Sequence, residues 1–411
     1  MAQYISSTTP NNGTAFINGN IYTVNPTQPR ASGFIVSPSG VFTHIGNTEE
    51  ILPEAQKQHL VVVDLQGKFT MPGIHDAHMH LLYSGLALTS EANIGMNTTH
   101  SNIAKKVKEG SCACHYVNAY QDWVLASAYN AAGFPDMKAD RKYLDSLYPS
   151  QPVVVRGGAG HAMLLNTAAL RLAGYDIQNE PDVPGAFFGR REDGSLTGEL
   201  AENAMIKAAL SIPFPSQAHI KRVLKYAIRA AHRAGVTSLQ EASGNTMLLH
   251  ALNEIEKEGG LNMDIHTHII YGPEWVAHEK KESLHKLIDA AESFNSRHLN
   301  TRFVKIILDG VPLPPLFTHC GLDESGHPEK EKIQVEDVLA AVDRYDERGM
   351  TVKIHCTGHG STRIALDAIE TARKKNPGGP RHEIAHCSGV HDGTFVFPFI
   401  SSLKHTFTRI R

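Results

Sequence analysis

The stretch MPGIHDAHMH, Met71 to His80, puts three histidines and an aspartate within ten residues, directly after an apolar run and a Pro-Gly pair. In an extended strand, residues two apart point the same way, so His78 and His80 present their imidazoles to one side while Ala77 and Met79 face the other. Two imidazoles side by side suit a zinc-like ion, and they equally suit two satisfied polar groups at a strand end. The two readings part on whether other strands of the chain end alike. His355 in VKIHCTG and His386 in EIAHCSG both close apolar strands in this way.

The 411 residues, 41% hydrophobic and 20% charged, suffice for a large core and for one big barrel or two to three ordinary domains. A net charge of −3 and the lack of a dense Lys/Arg run argue against nucleic acid or an anionic membrane as partner, because phosphate binding needs clustered positive charge. A small-molecule substrate is the expected partner, with a homo-oligomer also open. The opening MAQYISSTTPNNGTAF lacks a basic segment followed by an apolar one, and no run of about 18 apolar residues occurs, so a soluble, cytoplasmic protein is expected. Five cysteines (Cys112, Cys114, Cys320, Cys356, Cys387) are odd in number and lack framework spacing, which fits a reducing compartment. CACH at 112–115 resembles a metal fragment without a second pair to complete it. The 24 histidines are the anomaly.

From about Phe16 to Leu65, short alternating or apolar runs broken by turn residues (AFINGNIYTV, GFIVSPSG, HLVVVDLQGKFT) predict a small β module. Beyond Met71 apolar runs alternate with segments of helical period. The clearest helix follows PFPSQ, with Ile220, Val223, Leu224, Ala227 and Ala231 on one face and Gly235 as the stop. The strand VTSLQEA comes next. FVKIILDG is followed by a helix carrying Val338, Leu339, Val342 and Tyr345 up to Gly349, then TVKIHCTG, a helix from Ile364 to about Arg373, and HEIAHCSG. Such alternation means parallel strands with right-handed crossovers, in an open doubly wound sheet or a closed β/α barrel. Histidines at several strand ends point to the barrel, whose sites are assembled from the carboxyl ends of different strands. GGAGH at 157–161 lacks the spacing of a nucleotide fingerprint.

Lys305 lies inside the apolar run FVKIILDG, on the same strand face as Ile307 and Asp309. A buried ammonium is costly unless it is paired or chemically altered. Lys305 is therefore either a lysine that snorkels to water or one that reacts with CO2 to become an anionic bridge between metal ions.

On these residues the chain resembles the amidohydrolase superfamily, in its amidohydrolase-3 branch of YtcJ-like and N-substituted formamide deformylase-like proteins. MPGIHDAHMHL is similar to that family's first metal-binding strand, and VVVRGGAGHAMLLNTAALRLAG, EDGSLTGELAENA, VKIILDG and HEIAHC continue the likeness from about Ile17 to Cys387. The resemblance implies an α/β fold: a TIM-like (β/α) barrel over residues 67–411 joined to a β-sandwich, of which residues 1–66 form the N-terminal half. It implies a hydrolase of non-peptide carbon–nitrogen bonds, such as N-substituted amides or formamides, using one or two divalent ions, zinc first among them. His78 and His80 would hold one ion, His355 and His386 the other, with Lys305 as carboxylated bridge. A metal lowers the pKa of its water from about 15.7 to about 7 and polarises the carbonyl under attack. His161 and Asn166 match the H-A-x-x-x-N segment as substrate contacts or, as the alternative, as structural groups of the loop, with Asp309 beside them as a substrate contact and His161 also in a catalytic role. Glu202 in GELAEN reads first as a helix cap and second as a further metal carboxylate. His75 reads as a passenger, and Asp76 as the group that orients the strand or a ligand imidazole.

The pattern breaks near the end. The family's final aspartate, at the end of strand eight, has no counterpart, since only 25 residues follow His386 and Asp392 comes too early in the barrel order. The tail FPFISSLKHTFTRIR does not read as a helix and strand seven. Strands seven and eight and the returning half of the sandwich are expected to be missing, as in a truncated chain whose activity would be impaired. The alternative is then a metal-binding fragment without catalysis.

Overall fold

The computed structural model describes residues 12–95, 97–113, 119–157 and 159–390, with the backbone of 404–406; side chains at 112, 113 and 404–406 are not described. The CACH segment as a metal fragment, Asp392 and most of the tail lie outside the described residues. Two units form, Met1–Ile74 and His75–Arg411.

The first unit holds a four-stranded sheet, in the spatial order Phe42–Gly46, Gly33–Val36, Thr14–Ile17, Val61–Asp64, and a three-stranded sheet of Arg30–Ala31, Asn20–Tyr22 and Phe69–Thr70. The strands sit where the alternation predicts them. A helix, Thr48–Lys57, does not figure in that prediction. It packs Ile51 and Ala55 onto Ala15, Ile17 and Ile35, and its first turn is closed by Glu50, whose carboxylate accepts from the Asn47 N–H at 3.0 Å. Pro53 inside its ten residues disguises it.

The second unit is built on a seven-stranded sheet whose spatial order is its chain order: β1 (Ile74–Met79), β2 (Val236–Gly244), β3 (Asp264–Gly272), β4 (Leu299–Ile307), β5 (Thr351–Cys356), β6 (Glu383–His386) and β7 (Lys404–Thr406). From β2 to β7 every neighbouring pair is parallel. β7 occupies a place that the sequence leaves empty, because its three residues carry too little pattern to be read. Helices α1 (Gln217–Arg233), α2 (Thr246–Lys257), α3 (Lys281–Asp289), α4 (Val338–Glu347) and α5 (His359–Lys375) precede β2, β3, β4, β5 and β6 in turn. In α1 all five predicted core residues are buried, Ser216 caps the start by accepting from the His219 N–H, and Gly235 at φ +82° ends it. In α4 Leu339 faces solvent, 51% exposed, instead of joining Val338, Val342 and Tyr345 in the core. α5 begins five residues before the predicted Ile364, because Ser361 Oγ closes its first turn on the Gly358 N–H at 3.2 Å.

The sheet curls. Four strands separate β1 from β6, about 24 Å on a flat sheet at a strand spacing of about 4.8 Å, yet the rings of His78 and His386 stand 4.8 Å apart. Lys353 on β5 likewise donates to the Ala77 carbonyl on β1 at 2.8 Å. Between β1 and β2 the chain builds a second sheet that the barrel expectation does not separate, ordered Ala186–Arg190, Leu196–Glu202, Ala162–Leu165, Val153–Gly157, Val124–Tyr129, Ala92–Asn93. One face of it has its own core, with Ile103, Val107, Ala126, Val155 and Leu164 all buried.

Candidate metal centre

The curl gathers the strand-end histidines into one arc. Ring centroids are 5.4 Å apart for His78–His80, 4.8 Å for His78–His386, 4.5 Å for His386–His355 and 5.0 Å for His355–His161. His78 is held at the backbone, where its N–H donates to Asp76 Oδ1 at 3.1 Å, so Asp76 orients the strand. His386 closes β6 at φ +74°, a costly conformation for a side-chain-bearing residue that turns the ring out of the strand's regular alternation. His75, exposed at the opposite end of β1, bonds Ser238 Oγ at 2.8 Å and takes no part.

Neighbouring groups set which ring nitrogen carries the proton. Ser243 Oγ has one hydrogen and donates it to Glu241 Oε1 at 2.7 Å, so toward His80 Nδ1, 2.9 Å away, it must accept; His80 is then protonated at Nδ1 and keeps a lone pair on Nε2. His355 Nε2–H donates to the Gly310 carbonyl at 3.1 Å, which leaves the lone pair on Nδ1. His161 Nδ1 donates to both carboxylate oxygens of Glu202, at 3.0 and 3.1 Å, and Glu202 is held in turn by Thr318 Oγ1 at 2.8 Å and Gln334 Nε2 at 2.7 Å. Burial, with the nearby Lys305 charge behind it, pushes His80 down to about 3 and His386 to about 3, and lowers His78 as well. Burial depresses His355 too, followed by the charges of His161, His386 and Lys305. All are neutral donors at physiological pH.

Lys305 on β4 is fully buried and its Nζ has no hydrogen-bond partner among the described residues. Burial, reinforced by the Lys353 charge, lowers its pKa far below the usual lysine value. Lys353 is a second fully buried lysine, which the alternation in TVKIHC could have revealed: it stands two residues before His355 and shares its face. It donates to Ala77 O, contacts Gln240 Oε1 and pairs with Glu383 Oε2 at 3.0 Å, tying β5 to β1, β2 and β6 beneath the histidines.

Three expectations change. Asn166 is not available to a substrate: Oδ1 accepts from the N–H groups of Val153 and Ala169, and Nδ2 donates to the carbonyls of Tyr148 and Gln151. Asp309 is likewise occupied, accepting from the backbone N–H of Cys320, Thr357 and Gly358 and from the hydroxyls of Ser361 and Thr357. It fastens the end of β4 to the turn that opens α5. Glu202 makes no side-chain cap on the short helix after it and instead orients His161.

Among the described residues no group of three or more His, Cys, Asp or Glu side chains is arranged to hold a metal ion as it stands. The donor set nevertheless fits one. Two imidazoles on a single tetrahedral ion with bonds of ~2.1 Å have centroids ~5 Å apart, the spacing of this arc, and an amine without a hydrogen-bond partner among the described residues stands with them.

A family profile described as the amidohydrolase family matches residues 61–396. The chain belongs to the amidohydrolase family. Its kin are hydrolases that act on carbon–nitrogen bonds. Among its relatives, the exoenzymes regulatory protein AepA of Pectobacterium carotovorum subsp. carotovorum is 25% identical over 89% of this chain and 78% of its own length. The N-substituted formamide deformylase of Arthrobacter pascens is 23% identical over 88% of this chain. This chain spans 66% of the deformylase, just under two thirds. An uncharacterized metal-dependent hydrolase from Pyrococcus horikoshii OT3 superposes with a TM-score of 0.67 at 23% identity, over 93% of this chain and 71% of that one, and shows the same fold. No helix among the described residues is long and apolar enough to cross a membrane.

Proposed function

We propose that this chain hydrolyses the carbon–nitrogen bond of small N-substituted amides, formamides among them, with one or two divalent ions, zinc first, held by His78, His80, His355, His386 and Lys305. One observation carries the reading: a buried, unpartnered amine whose charge would bear on all four imidazoles at once. When bound, such an ion polarises a carbonyl and makes water nucleophilic at neutral pH. In its neutral form the Lys305 amine adds CO2, forming one N–C bond and releasing one proton, so that an unsolvated amine becomes an anion that cations can hold. His161, its Nδ1 committed to Glu202, offers Nε2 to a substrate N–H or to the departing amine. The deformylase relative supports the amide class.

We also take the seven curled strands as an arc of a (β/α) barrel, residues 1–66 as part of a β-sandwich, the chain as a cytoplasmic protein, possible self-association included, and a small molecule as its substrate. The test is formate release from N-substituted formamides by the zinc-loaded full chain, with metal content measured alongside. Turnover that disappears in Lys305→Met and His386→Ala supports the reading. A folded, metal-loaded chain without turnover overturns it in favour of metal binding without catalysis.

A further inference from the structure

A cavity of about 330 Å³ lies beside His161, between the second sheet and the loop that follows β4. That volume is within the usual range of small-molecule sites, about 300–1,000 Å³. Ala162 and Ala201 line its sheet side and Val311, Leu313 and Leu316 its loop side, while His161, 5.0 Å from the His355 ring, connects it to the candidate metal centre.

The polar side chains around it are already engaged. Tyr129 OH donates to Glu199 Oε1 at 2.9 Å, Asn130 Oδ1 accepts from the Ala132 N–H at 3.0 Å, and Thr318 Oγ1 and His161 Nδ1 both donate to Glu202. Burial pushes the Glu199 carboxyl up to about 7, and its Oε1 is already taken by the Tyr129 hydroxyl. A charged group entering here would lose its water for little more than the His161 Nε2 lone pair, whereas an apolar group would gain by burial against Ala162, Ala201, Val311, Leu313 and Leu316.

We propose that this cavity is the subsite for the substituent on the scissile amide nitrogen and that it selects an uncharged, apolar group of about cyclohexyl size. The assignment rests on the proposed function for the meaning of its occupant, but its binding preference is measurable without turnover.

The experiment is calorimetric binding of N-methylformamide, N-cyclohexylformamide and N-(4-aminocyclohexyl)formamide to the full chain, with formate release followed separately. N-cyclohexylformamide should bind at least ~10-fold tighter than the methyl compound, from the extra apolar area buried, and the ammonium analogue at least ~10-fold weaker than its neutral parent. Leu313 is 48% exposed, so Leu313→Asp should keep the native circular dichroism spectrum while it abolishes the advantage of N-cyclohexylformamide over N-methylformamide. Equal affinities along the series, preference for the ammonium analogue, no binding, or a folded Leu313→Asp with the advantage intact would each overturn the subsite. Binding with the expected preference and no formate release keeps the subsite and overturns the hydrolytic function. Hydrolysis with a flat preference does the reverse.

Discussion

Lys305 and Lys353 stand opposite each other in register on β4 and β5, both fully buried, and among the described residues only Lys353 of the two has hydrogen-bond partners. The pair separates a lysine that holds the fold from one held ready for chemistry. Lys353→Met leaves the Glu383 carboxylate buried without its cation and should cost about 3–5 kcal/mol of stability. Lys305→Met removes an amine that bonds to nothing and should leave the stability of the metal-free chain within about 1 kcal/mol while abolishing metal-dependent turnover. Urea denaturation of the two variants, with metal analysis, checks the contrast.

The carboxylates behind His161 and His80 act through those rings. Glu202→Gln replaces an acceptor that compels Nδ1–H on His161 by an amide that tolerates either tautomer, and Ser243→Ala frees His80 from its relay to Glu241. Each should lower metal affinity or kcat/KM by about 10–100-fold with the fold intact. The loss should fall on metal affinity for Ser243→Ala and on kcat for Glu202→Gln, as metal titration and steady-state kinetics would distinguish.

Asn166 and Asp309 are assigned to the fold by their occupied hydrogen-bonding atoms. Asn166→Ala and Asp309→Asn should each cost about 2–4 kcal/mol, since each strands several buried backbone groups. KM for the folded fraction should not change. A raised KM at full stability would return either residue to the substrate.

Acid should destabilise the metal-free chain. His80 and His386 fall from the ordinary imidazole value of 6.5 to about 3 on folding, and His78 and His355 are lowered too, so the unfolded chain binds more protons below pH 6.5. Their contribution is complete above pH 6.5 and is lost as pH falls toward 3, at up to about 1.4 kcal/mol per pH unit for each group. Glu199 and Glu241, raised to about 7, act in the opposite sense: their contribution is present below pH 4.5 and lost as pH rises through 7. The histidines outnumber them, so urea midpoints measured from pH 8 to pH 4 should fall. A midpoint that stays level or rises toward pH 4 would show these rings charged in the folded chain.

Much of this site was legible residue by residue. The alternation in IHDAHM, VKIHC and EIAH put His78, His80, His355 and His386 at strand ends, and the lone cation in FVKIILDG marked Lys305. The same alternation in TVKIHC held Lys353 in plain view. The second sheet escaped because apolar runs such as VVVRG look alike whichever sheet they join, and the motif match left Asn166 open between substrate and loop and misplaced Glu202 as a cap because it says nothing about which atoms of a side chain are already bonded.

By itself the sequence determined the strands β2, β4, β5 and β6, the helices α1, α4 and α5, and the identity of the groups at those strand ends, because periodicity and residue chemistry are local properties; β3, α2 and α3 emerged only with the structure. Only the tertiary structure decided which groups meet and which are left free. Glu202 meets Thr318 across 116 residues and Gln334 across 132, and Lys353 meets Ala77 across 276. A hydrogen-bonding atom has few places to fill, and which neighbour fills them depends on how the sheet curls.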